Sequence, residues 1–126
     1  MKTKSRRGSG LVECVVGAMV LVPIALCLVD LTAIIMANSV NDTCVKNMAR
    51  AAANQEAADA FPAAQNSLSS FKPSSIITSI KIDVFDYQAG QSVKVSTRMI
   101  VHLPVPFPGY SDLTYVAEDV EPIVVK

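Results

Sequence analysis

The chain has 126 residues, 51% of them apolar, with 11 basic and 11 acidic side chains and a formal net charge of zero, which allows one domain at most. Lys2, Lys4, Arg6 and Arg7 lead the chain with no acid among them, leaving seven basic against eleven acidic residues, a net −4, from Ser9 onward. An acidic remainder of this kind, with no Trp and few aromatics, argues against nucleic acid as a partner.

The first element follows the basic leader. Leu11 and Val12 precede a single acid, Glu13, and then sixteen residues without a polar group, Cys14 to Val29, closed by Asp30. Leu31 to Met36 continue mostly apolar. Those sixteen residues cover about 24 Å as a helix and Leu11 to Met36 about 39 Å, and a hydrocarbon core of about 30 Å lies between these limits. The spacing predicts one membrane span over 9–36, with the basic flank in the cytoplasm and the rest outside it.

The signal is not that of an ordinary secretory leader. The far end of the run offers Ile35-Met36-Ala37, with a bulky residue where cleavage needs a small one, and Ile24-Ala25-Leu26-Cys27 has Leu in the wrong place for a lipoprotein signal. Glu13 reads from its position as an acid near a helix start, favoured by the dipole. Asp30 has two readings: a second intramembrane carboxylate reaching the outer headgroups, or a partner for another subunit. Pro23 removes a backbone bond in mid-span and predicts a kink. Cys14 and Cys27, about 20 Å apart along the helix, are beyond disulfide reach, and with Cys44 they read as small packing residues.

Beyond the span, Ala37, Val40, Cys44, Met48, Ala51 and Ala52 recur near a 3.6 period, and Asn41, Asp42, Lys46, Arg50 and Asn54 take the other side. No Gly or Pro interrupts from Pro23 to Pro62, so the helix is expected to run on, amphipathic over 37–60. Residues 61–75, bracketed by Pro62 and Pro73 and rich in Ser, form a connector with room for two helical turns. Over 76–126 the character turns to strand. Ile80, Ile82 and Val84 alternate with Lys81, Asp83 and Phe85; Gln88-Ala89-Gly90-Gln91 supplies a turn; Val93 to Leu103 alternates again. Pro104, Pro106 and Pro108 predict a loop or extended link to Gly109, and Leu113 to Val120 a third strand. The expected fold is α+β: a long amino-terminal membrane-spanning helix continuing outside the membrane and packed on an antiparallel sheet of about three strands.

No catalytic constellation stands out. His102 is the single histidine and falls in a strand interior. The serines lack a nucleophile-elbow or Ser-x-x-Lys context. Glu118, Asp119 and Glu121 alternate across a strand, which does not favour a shared cation site. The expectation is a protein that is not an enzyme and has no cofactor and no metal.

Arg7-Gly8 followed by Ser9-Gly10-Leu11-Val12-Glu13 resembles the prepilin processing site of the type IV pilin superfamily. In that pattern a basic leader, here 1–8 with Arg6 and Arg7, ends in Gly and is cut away, and Glu is the fifth residue of the mature helix. The resemblance implies cleavage between Gly8 and Ser9, which creates an ammonium at Ser9, with Glu13, one helical turn away, as the assembly carboxylate that partners this charge or that of a neighbouring subunit. The order of elements, with the Ala-Arg-rich stretch Ala49 to Ala53, the strand Val93-Lys94-Val95 and the Pro-rich link, resembles the TadE-like pseudopilins of tight-adherence pili. It implies a minor pilin or pseudopilin in the bacterial inner membrane, processed by a prepilin peptidase. Its other partners are pilin subunits and the pilus assembly machinery, and its role is to support assembly of an adhesive pilus. The other class is a permanently membrane-anchored extracytoplasmic binding protein or secretion-machine component.

Overall fold

A computed structural model describes residues 7 to 124. Two helices, α1 (Arg7–Ala53) and α2 (Ala57–Ser69), precede three strands, β1 (Ile77–Gln88), β2 (Ser92–Phe107) and β3 (Tyr110–Pro122). The strands form one antiparallel sheet in the order β1-β2-β3. The fold is α+β, a long apolar helix packed on a three-stranded sheet.

The 47 residues of α1 divide at Asp30. From Gly8 to Val29 no side chain is buried, and Met19 and Leu21 are 72% and 67% exposed. Mean hydropathy reaches 2.6 in this part, so the helix is long and apolar enough to cross a membrane once. From Asp30 onward, Ala33, Ala37, Asn41, Val45, Met48 and Ala52 form a buried stripe against the sheet. The spacing is helical, but the stripe is rotated from the sequence expectation. Asn41 is on the buried face, and Val40 is 37% exposed.

The helix also ends earlier than its composition suggests. α1 stops at Ala53 and α2 begins at Ala57, where the sequence predicts an unbroken run to residue 60. The end tightens through Gln55 N–H donating to the Ala52 carbonyl at 3.1 Å. The exposed carbonyls are then taken from outside: Ala53 accepts from Val124 N–H at 3.1 Å and Gln55 from the Tyr87 hydroxyl at 3.0 Å. The break lets α2 turn back so that Ala60 and Ala64 bury against Ala49, Ala52 and Ala53. Tertiary burial wins over local helix propensity here. Pro62 is inside α2 rather than at its border, on the exposed side.

In β2 the inward row Val93, Val95, Thr97, Met99, Val101 and Leu103 is buried throughout, as the alternation predicts. β1 departs from its alternation. Register shifts between Ile77 and Ser79 and between Ile82 and Val84 turn Phe85 and Tyr87 inward and leave Val84 46% exposed. A bulge exchanges the faces of all that follows it. Phe61 of α2 meets Phe85 edge to face at 5.1 Å.

The Pro-rich stretch is part of β2, where the sequence predicts a link outside the sheet. β1 pairs only as far as Val101, and pairing with β3 lapses between His102↔Asp112 and Phe107↔Tyr110. Pro104 and Pro106 therefore fall where no ladder needs their missing N–H groups. Pro108-Gly109 closes the hairpin, with Gly109 at φ 91°, a conformation glycine reaches without a Cβ penalty. Pairing begins at Tyr110 and runs to Pro122, extending the third strand beyond Leu113 and Val120 at both ends.

Candidate functional site

Two carboxylates mark the amino-terminal half of α1, and their surroundings differ. Gly8 and Ser9 are in its first turns, both exposed, and a side chain at Gly8 would meet nothing within 4 Å. Arg6 lies outside the described residues. Glu13 is exposed one turn beyond Ser9, on the same side of the helix, and accepts no side-chain hydrogen bond among the described residues.

Asp30 is 4% exposed. Its Oδ1 accepts the Val105 N–H at 2.9 Å, and its Oδ2 is enclosed with no hydrogen-bond partner. The carboxylate is therefore enclosed by the chain itself. It is capped by the Pro104–Pro108 limb of the β2–β3 hairpin within the same chain. Asp30 is seventeen positions after Glu13, about 26 Å along the helix, and the fold does not bring them together.

Val105 is the residue that sequence reasoning missed. In Pro104-Val105-Pro106 only the middle residue carries an N–H, so a single backbone donor was left needing a buried acceptor. The surrounding limb is apolar. Pro23 and Leu26 of α1 face Val105, Pro106 and Pro108 across one groove. On the other flank Leu28, Thr32 and Met36 face Ile76 and Pro104 across a second groove of about 380 Å³. Glu13 and Asp30 thus belong to one helix, but only Asp30 is built into a site.

Elsewhere polar groups are mostly paired. His102 Nδ1 and Asp112 Oδ1 are 2.7 Å apart on the exposed face. Glu118 pairs with Lys94 at 3.1 Å and Glu121 with Arg50 at 3.3 Å. Asp119 lies between these two acids but points to the opposite face from Glu118, and its Oδ2 is enclosed without a partner. Among the described residues no three His, Cys, Asp or Glu side chains converge as a metal site would require. Cys14 and Cys27 are exposed and Cys44 half-buried, all as free thiols. Burial pushes the Cys44 thiol above its ordinary value.

Compared with family models, with characterised proteins and with solved structures, the chain matches none of them.

Proposed function

We propose that the chain is a non-enzymatic pilin-like subunit, a minor pilin or pseudopilin of the TadE-like kind. On this reading it is processed by a prepilin peptidase and supports assembly of an adhesive pilus. The observation that carries it is the order Arg6-Arg7-Gly8-Ser9 with Glu13 one turn beyond, heading an apolar helix with no buried side chain from 8 to 29. Removal of 1–8 frees an ammonium at Ser9. Glu13 then balances that charge, or a neighbour's, among apolar helices where an isolated charge is costly. The α+β domain carried by the second half of α1 supports a subunit with a head rather than a bare fibre helix.

A second reading, a permanently anchored extracytoplasmic domain or secretion-machine component, draws on a different observation. The hairpin limb against Pro23 and Leu26 ties the domain to the apolar part of the helix.

Intact mass and amino-terminal sequencing of the protein from native membranes separate the two. The pilin-like reading expects a start at Ser9 that is lost in Gly8→Phe, and a fibre or pseudopilus that co-purifies with the protein. An unprocessed terminus in cells with an active prepilin peptidase sinks it in favour of the anchored domain.

A further inference from the structure

We propose that the tip of the β2–β3 hairpin is a second membrane-contacting element, immersed in the outer part of the bilayer beside the span and shielding Asp30 from lipid. The inference rests on reading α1 as a membrane span. Gly10 to Val29 then fills the hydrocarbon core, twenty residues covering about 30 Å. The tip sits against Leu26 and Pro23, four and seven residues before Asp30, which is about 6–10 Å inside the outer boundary. That is the depth at which interfacial elements bury their apolar faces.

The tip has the chemistry for that depth. From Leu103 to Ser111 there is no charged residue, and the first ionisable groups above it are His102 and Asp112, paired at 2.7 Å. Backbone donors are the usual obstacle to non-helical chain in lipid. Here Pro104, Pro106 and Pro108 have none, Val105 gives its N–H to Asp30, and residue 107 pairs with Tyr110. Tyr110 is 67% exposed at the turn, the residue type that prefers the boundary between hydrocarbon and water. The two apolar grooves beside the limb run on from the lipid-facing surface of the helix, so acyl chains are the occupants continuous with it. The Asp30 carboxylate lies under this limb and is kept from hydrocarbon by it.

The chain contains no Trp, so single-Trp variants of the full-length protein report position directly. Tyr110→Trp is compared with Val20→Trp in the span and Ala89→Trp at the opposite turn of the sheet. Each is reconstituted in phosphatidylcholine–phosphatidylglycerol vesicles, without bromine or with bromine carried either near the glycerol end or near the methyl end of the acyl chains. The expected result is that Val20→Trp and Tyr110→Trp lose most of their emission to brominated lipid and little to acrylamide, with Ala89→Trp the reverse. Quenching of Val20→Trp by bromine with Tyr110→Trp quenched only by acrylamide would overturn the proposal, leaving the tip in water. Protection of Tyr110→Trp from both quenchers overturns it too, in favour of cover by a second copy. If Val20→Trp itself escapes bromine, the span reading has failed and the proposal with it.

Discussion

Asn41 and Thr97 meet at 2.8 Å in a mostly apolar interior, the Thr97 hydroxyl donating to the Asn41 side-chain carbonyl. Each is at most 1% exposed, so neither group can turn to water when its partner is removed. Asn41→Ala is expected to destabilise the fold by about 1–3 kcal/mol. Asn41→Ala with Thr97→Val should cost less than the sum of the two single changes, as a double-mutant cycle in urea will read. Polarity alone assigns Asn41 to the solvent side of the helix. The signal that corrects it is Thr97, an isolated polar residue in the buried row of β2, because a buried hydroxyl demands a facing partner. Cys44 gives a second residue-scale test. Its raised pKa means that the folded state holds the thiol proton more tightly than the unfolded chain. The associated stability is present below the ordinary thiol pKa and fades as pH rises through the raised value. Alkylation of Cys44 in the folded protein should accordingly be slower near pH 8 than that of an exposed cysteine, and should rise at higher pH than for a free thiol, as mass spectrometry after timed labelling will show.

Among the elements, the hairpin limb from Pro104 to Pro108 depends on one backbone bond to α1. Asp30→Ala leaves the Val105 N–H without its acceptor, and its amide should exchange with deuterium many-fold faster while the amides of Val93 to Thr97 are unchanged. Asp30→Asn keeps an oxygen acceptor and should retain most of the protection. Equal exchange at Val105 in the wild type and Asp30→Ala would show that the limb is held by packing alone. The strands were legible in the sequence to unequal degrees, for physical reasons. β2 is central and has one face wholly buried, so its alternation is strict. β1 is an edge strand with two register shifts, and period two cannot anticipate where a bulge will exchange its faces. The end of α1 at Ala53 was hidden because Asn54, Gln55 and Glu56 are not helix breakers in themselves. What ends the helix is the burial of α2 and the capture of the Ala53 and Gln55 carbonyls by Val124 and Tyr87, contacts that come from far along the chain.

At the scale of the whole molecule, every buried residue lies at Asp30 or beyond among the described positions. A chain of residues 30–126 should therefore fold cooperatively without the preceding segment, with a single urea transition followed by circular dichroism in mild detergent. A broad, non-cooperative loss of signal would show that the apolar half contributes to folding. The candidate site was readable only in part. Gly8, Ser9 and Glu13 stand out only through their resemblance to a prepilin processing site, whereas the covering of Asp30 arises from a hairpin seventy-five residues away. One helix carries both the apolar segment long enough to cross a membrane and the scaffold of the sheet, with no linker between the two halves. β2 runs alongside it in the opposite direction, Thr97 beside Asn41 and Val105 beside Asp30. Tension applied along the helix axis thus enters the head as shear, shared over about 35 Å of contact from Asp30 to Ala53 rather than peeling one strand at a time. The head has no swivel: whatever turns or pulls the helix turns and pulls the sheet with it.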